Sequence, residues 1–506
     1  MRWYCWWWVV SGGWWWAGTA LAQPNETLQV EILNADVLTS GRKDTSQVRK
    51  LIGNCVLKQD SILFYSDSIY QFIHLPKFEA YSRVRVVLSD TTTITSREAR
   101  YEGNERKIHF TGNVVFADGN KTLRTEYLVY DRVLRLAHYP QKGIIQTPEL
   151  RLESRQGWYV QPNGEAYFAR DVQLLNADFT VSTDTLVYSR FNKQTQFVAP
   201  TYIHTFQDNK DIYTERGLHD QELRTLFLTL NPFFKDPDTD FCSDTLFLEL
   251  DTKTGWSGCH SYLQSYKDSV QFYADSLTFN LTDKLYRFYK LPLFIKQGAT
   301  DTFTISARYI EVAFDSVTRQ QEVVARQQVV VHSEAFQAVG DSLYLSEAQK
   351  FMYLTYRPVI WLDSMQALGT AIRFWFQEST LDSIHILDKG FIAIHDTLDL
   401  FNQLASDTFY VYFKGKKLDR LTGFHKAESI YLMEENGAYT GLNYGQAAGG
   451  IRMRYTDNKP SRITYVKNYQ STIYPFSTLT AANKYLPAFR WLPHLRPQGY
   501  WKVSNK

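Results

Sequence analysis

A chain of 506 residues with 55 Lys and Arg against 53 Asp and Glu carries a formal charge of +2, too even a balance to draw it to nucleic acid. Its length exceeds what one compact core normally serves, so it reads as several domains or as one domain built by repetition. Aromatic residues reach 15% while Gly and Pro stay at 26 and 15 residues, which excludes collagen-like and low-complexity chains.

The first 22 residues stand apart. "MRWYCWWWVVSGGWWWAGTALAQ" holds one basic residue, Arg2, then an apolar run broken by Ser11-Gly12-Gly13, then Ala20-Leu21-Ala22 before a polar stretch. A charged start, an apolar middle and a small-x-small site predict a signal peptide cleaved after Ala22. The rival reading, an uncleaved anchor, is disfavoured by the short, interrupted run. No later stretch reaches the roughly 18 apolar residues of a spanning helix, so the mature chain is expected to be exported and soluble. Export permits disulfides. Cys5 leaves with the signal, Cys242 and Cys259 are the candidate pair, and Cys55 reads as a small buried apolar residue. No Cys or His spacing suggests a metal site.

From residue 23 to 345 one phrase recurs, as in "YSDSIYQ" from Tyr65, "STDTLVY" from Ser182 and "YADSLTF" from Tyr273. Aligned on its acidic position, it falls at Asp67, Arg97, Glu126, Glu153, Asp184, Glu215, Asp244, Asp275, Arg308 and Asp341, at intervals of 27 to 33 residues. Arg97 and Arg308 break the acid rule and keep the frame. An internal repeat of about thirty residues takes precedence over other readings. Fourteen residues before Asp67 stands "GNCVL", before Glu126 "GNVVF" and before Asp184 "RDVQL". Two short strands per unit are expected, one after Gly-Asn and one around the acid, with polar turns such as "ADGNK" between them. In "DTLFLELD", Leu246, Leu248 and Leu250 face one way and Phe247, Glu249 and Asp251 the other. The acid is expected near a turn, its oxygens accepting nearby backbone N–H bonds.

From 346 to 480 the layout changes. "IRFWFQESTLDSI", "FYVYFKGKKLDRL" and "IRMRYTDNKPSRI" each read as an aromatic strand, a polar turn and a return strand, which is a hairpin. Their equivalent residues Phe376, Phe413 and Tyr455 lie 37 and 42 apart. This reads as a second module of the same architecture with longer connections. Residues 481–506, with "FRWLPHLRP", form a Pro-broken aromatic tail.

"GNVVFADGNKTLRTEYLVYD", Gly112 to Asp131, resembles the repeat of the OstA/LptA family of periplasmic lipopolysaccharide-export proteins. Gly112, Asn113, Val114, Leu123, Glu126, Leu128 and Tyr130 occupy its characteristic positions, a second copy starts at Gly53, and a third, without Gly-Asn, at Arg170. The whole chain is similar to the longer OstA-like proteins. The resemblance implies an all-β fold, an elongated repeat β-jellyroll in which antiparallel strands stack as an open V. Its interior would be a trough for the acyl chains of lipopolysaccharide, and modules would join by edge-strand pairing into a bridge to the outer membrane. Lipopolysaccharide, other export jellyrolls and a head-to-tail homo-oligomer are the implied partners. The implied location is the periplasm, with association at the outer membrane left open. A lipid-facing C-terminal barrel is not expected, since Arg452 and Arg454 alternate along a late strand.

The candidate trough lining is Leu128 and Tyr130, Leu186 and Tyr188, Leu246 and Leu248, and Leu277 and Phe279, with Leu248 inward and Glu249 in solvent. The other reading of the same residues, a packed core without room for ligand, stays open. Histidines are scattered, with no HExxH, GxSxG or P-loop. Asp382-Ser383-Ile384-His385 reads as hairpin surface, and the acids lack the clustering calcium needs. No catalytic residue, cofactor or metal is expected. The alternative function is a structural or adhesive surface β-solenoid with a packed interior. A carbohydrate-active β-helix would need paired carboxylates that do not stand out here.

Overall fold

Alternating apolar and polar side chains suit a pleated, half-buried surface, and strands dominate the described residues. The computed structural model describes residues 30–498 except 208, 299–301, 315–319, 378–379, 398, 416, 436 and 457–458. The expected signal peptide and Cys5 lie outside the described residues. Two compact units divide the chain, residues 1–134 and 135–506. Among the described residues no helix is long and apolar enough to cross a membrane.

In the first unit, six strands of 11 to 14 residues follow one another as an antiparallel meander: Ser46–Gln59, Ile62–Phe72, Lys77–Val87, Thr92–Glu102, Lys107–Asp118 and Lys121–Asp131. Each pairing slips register at its middle, between Ile52 and Cys55, Tyr65 and Ser68, Tyr81 and Val84, Thr95 and Glu98, and Thr111 and Val114. These are bulges, which bend a strand and strengthen its twist. Three pairs of successive residues with left-handed backbone, Gly53-Asn54, Ser82-Arg83 and Gly112-Asn113, lie in these slips.

The recurring Gly-Asn is therefore a mid-strand corner. The two short strands expected per repeat are long strands bent at that corner. Glycine is required at residue 53 twice over: its φ is +79°, and a Cβ would lie 2.2 Å from Asp36 Oδ2. The recurring acid stands opposite the left-handed pair of a neighbouring strand. Asp67 accepts two bonds from Arg83 Nε and one from Nη2. Glu126 accepts the Asn113 N–H at 3.2 Å, and the Asn113 amide bridges Glu126 to Arg97. Turn chemistry exists, but other residues supply it: Asp131, Asn176, Asp220 and Asn280 each accept the N–H groups two and three residues on.

The second unit repeats the corner. Arg170-Asp171, Cys259-His260 and Gln327-Gln328 are left-handed pairs at register slips in Glu165–Asn176, Thr254–Ser265 and Gln321–His332. On either side of the corner the halves of a strand belong to different walls. Residues 321–326 pair with 309–314, whereas 330–332 pair with 304–306. Beyond residue 346 the corner becomes a crossing of the chain from one wall to the other. Hairpins 371–377/380–387, 408–414/417–424 and 450–456/459–466 build one wall. Hairpins 359–362/365–368, 390–395/401–406 and 427–435/438–447 build the other. Left-handed pairs again mark crossings, at Tyr356-Arg357, Asp388-Lys389 and His425-Lys426.

Inward residues of both walls form one core cluster from Val270 to Tyr455, including Phe272, Phe294, Ile310, Val331, Ile360 and Phe409. The change of pattern at residue 345 coincides with no break in it. Cys55 is buried, and Cys55, Cys242 and Cys259 are free thiols, so the expected bridge is not formed. Cys242 does lie on a strand neighbouring Cys259, opposite Tyr262, but Cys259 is three positions away in the bulged corner.

Candidate apolar ligand site

Strand alternation sends every second side chain into the space between the walls of the second unit. At most rungs large apolar groups fill it. Near the hairpin turns they do not, and a cavity of about 520 Å³ remains, within the range of small-molecule sites. One wall contributes Leu345, Phe376, Leu381, Phe413, Leu418 and Tyr455, and the other contributes Phe303, Phe336, Leu362, Met365 and Ile394.

Bulges place Leu381 and Leu418 in the first group. In the hairpin 371–377/380–387 the register steps from Trp375↔Ser383 to Phe376↔Leu381, leaving Asp382 unpaired. The step from Tyr412↔Arg420 to Phe413↔Leu418 leaves out Asp419, and that from Arg454↔Arg462 to Tyr455↔Pro460 leaves out Ser461. Without the extra residue Leu381 and Leu418 would share the outer face with Ser383 and Arg420. With it they turn inward. Phe376, Phe413 and Tyr455, equivalent in the sequence repeat, are thus equivalent in the cavity. Burial pushes the Tyr455 phenol well up, keeping it neutral.

The rim is charged. Lys296, Glu347, Lys350 and Asp363 line it. Lys296 and Glu347, from different walls, form an ion pair, and Glu347 also accepts the Gln321 N–H at 3.2 Å. An apolar interior with a charged rim can hold a hydrocarbon segment and leave a polar group outside, at roughly 0.8 kcal/mol per methylene buried.

None of the eight residues expected to line a trough is among those lining this cavity. Leu128 and Tyr130 belong to the core of the first unit, at 0% and 4% exposure. Leu186 and Leu246 sit in a packed cluster with Tyr188 and Phe279 against it, and Leu277 joins the larger core. Leu248 shares the face of Leu246 but is half-buried, as is Glu249. Leu128, Tyr130, Leu186, Leu246 and Leu277 are buried among packed neighbours, and Tyr188, Leu248 and Phe279 are half-buried. The cavity residues carried a signal in the phrases Leu381-Asp382-Ser383-Ile384 and Leu418-Asp419-Arg420-Leu421, whose spacing fits a bulge better than strict alternation. His385, from the Asp-Ser-His sequence, faces outward and stacks on Tyr410 at 4.0 Å.

The tail lies on the outer face of the second wall. Leu486 is buried there with Phe391, Phe401, Ile430, Leu432 and Leu442, and Leu479, Tyr485, Phe489 and Trp491 pack against them.

No curated protein matches the chain. A family model described as OstA-like protein matches residues 27–184, the stretch that holds the Gly-Asn corners and their partner acids and ends before the cavity begins. Over that stretch the chain is similar to the OstA-like family, in agreement with the resemblance its repeats carry.

Proposed function

We propose that this chain is a periplasmic carrier of lipopolysaccharide, contributing an apolar β-lined site to the route toward the outer membrane. The observation that carries the reading is the apolar cavity with a charged rim, set in a fold whose first stretch is OstA-like. The reading differs from a continuous trough: acyl chains enter where bulges and long hairpins hold the walls apart. Strand addition at the ends supports a role in a chain of modules. Lys459–Val466 and Gln470–Pro475 each pair on one side among the described residues, and such edges accept another strand.

A second reading is favoured for the remainder of the chain by its packing. Leu128 and Leu186 at 0% and 1% exposure are what a structural solenoid would show, so those rungs serve as scaffold.

A photo-crosslinking amino acid placed in turn at Phe413, Leu418, Tyr412 and Leu248 tests both. Cells are irradiated and probed for lipopolysaccharide adducts. Adducts at Phe413 and Leu418 with none at Tyr412, on the outer face, are expected. Adducts at Leu248 as well would restore the continuous trough. A folded, exported protein with adducts at none of the four would overturn the carrier reading.

A further inference from the structure

The tail crosses the strands beneath it in a regular way. Gln403 Oε1 accepts the Leu486 N–H at 2.9 Å while its Nε2 donates to the Lys484 carbonyl at 2.9 Å. Gln366 repeats this six residues on: Oε1 accepts the Leu492 N–H at 2.7 Å, and Nε2 donates to the Arg490 carbonyl at 2.6 Å. Gln337 Oε1 accepts from Arg496 Nε at 2.9 Å. The three glutamines belong to one cross-strand row, Gln337↔Trp361↔Gln366↔Ala393↔Gln403, so one stands on every second strand, about 10 Å apart.

The tail matches that period in sequence. "KYLPAF" from Lys484 and "RWLPHL" from Arg490 are two copies of a hexad, and Arg496 repeats its basic first position. Gln403 and Gln366 meet the backbone of the same hexad positions, the first and the third, and Gln337 meets the side chain of the next first position, Arg496. Gln366 and Gln403 are 0% and 1% exposed, and buried amides without partners would cost free energy. Glutamine row and hexad tail are therefore built for each other.

The row also touches the cavity. Leu362, Asp363, Ser364 and Met365, the end of the hairpin 359–362/365–368, line it. Arg496 Nη1 donates to the Asp363 carbonyl at 2.8 Å, and Gln366, next to Met365, also accepts from Trp361 Nε1 at 3.2 Å. We propose that the tail is a strap that holds this hairpin against the cavity and sets how fast an apolar ligand leaves, with Arg496 and Gln366 as positioning residues. This rests on the cavity being a ligand site.

The test uses the full chain and N-phenyl-1-naphthylamine as apolar probe. Hydrogen exchange over residues 359–368 and the probe's dissociation rate are measured in Arg496→Met, Gln366→Met and His494→Ala, the last being an exposed tail residue. Loss of the charge-assisted Arg496 bonds is expected to speed both exchange and dissociation on the order of tenfold, and Gln366→Met to do the same, with His494→Ala unchanged. Faster exchange with unchanged dissociation would overturn the strap's control of the site while leaving the site itself. A wild-type chain that takes up no probe would overturn the site, and the strap's role with it. Unchanged exchange in both methionine variants would overturn the strap alone.

Discussion

The interior of the first unit and the interior between residues 296 and 455 are both lined by alternate residues of paired strands, yet the first is packed and the second keeps a cavity near its hairpin turns. In the first unit Phe64 meets Phe78 edge-on at 4.8 Å and Phe78 meets Tyr101 at 5.1 Å. Gln59, 1% exposed, donates to Tyr101 Oη at 3.1 Å and accepts from Arg132 at 2.8 Å, closing the interior with a polar network. The later hairpins bring equally large groups, Phe376, Phe413 and Tyr455, and still leave about 520 Å³. What differs is repeat length, near 30 residues in the first case and 37 to 42 in the second. Room for a ligand follows from the residues added between walls, and apolar content alone does not create it.

Truncation should separate the two regions most sharply. Phe110→Ala, at a fully buried position of the first unit, is expected to cost about 3–5 kcal/mol by denaturant titration. Phe413→Ala enlarges a space that already exists and should cost clearly less while weakening probe binding; equal costs would erase the distinction. Filling the hollow is the converse. Leu418→Trp should alter stability by no more than about 1 kcal/mol, where overpacking a full core costs about 1–3 kcal/mol, and should abolish probe uptake.

The corners give a smaller effect. Gly53→Ala is expected to cost about 1–3 kcal/mol, since a Cβ meets Asp36 at a φ of +79°. Gly119→Ala, also left-handed but with nothing within 4 Å of its Cβ, should lose only about 1 kcal/mol. Equal losses would show that close approach at the corner is unimportant.

The smallest effect is a slope. Burial lowers the imidazole pKa of His109 in the first unit and of His138, His219 and His385 in the second. Folded values below the ordinary 6.5 mean that the unfolded chain binds more protons as pH falls, so stability drops on acidification from that value downward. His385→Phe, keeping a ring against Tyr410, should flatten the slope measured by thermal unfolding between neutral and mildly acidic pH. An unchanged slope would remove His385 from the account.

Much of this was legible in the sequence. Gly112-Asn113 and Glu126 marked the repeat because corner geometry constrains both strands, and Phe376, Phe413 and Tyr455 marked the later hairpins. Leu128 and Leu277 were correctly turned inward, but alternation reports only which face a side chain occupies. Whether the opposite wall has already filled that space depends on partners tens of residues or more away, and no local pattern carries it. Leu381 was obscured differently: one extra residue, Asp382, reverses its side, and strict alternation misplaces it. The glutamine row escaped because its members, 29 and 37 residues apart, are related only through the pairing of strands.

A side-chain amide presents both a donor and an acceptor, as a peptide group does, but on a stem that stands perpendicular to the sheet. Backbone bonding can tie a strand only to neighbours running along the same grain. Amides at Gln337, Gln366 and Gln403 let a segment be laid across the grain, as alternate layers are in plywood. A sheet so laminated resists peeling one strand at a time, because a load on any of the three glutamine-bearing strands is shared with the other two through the ply.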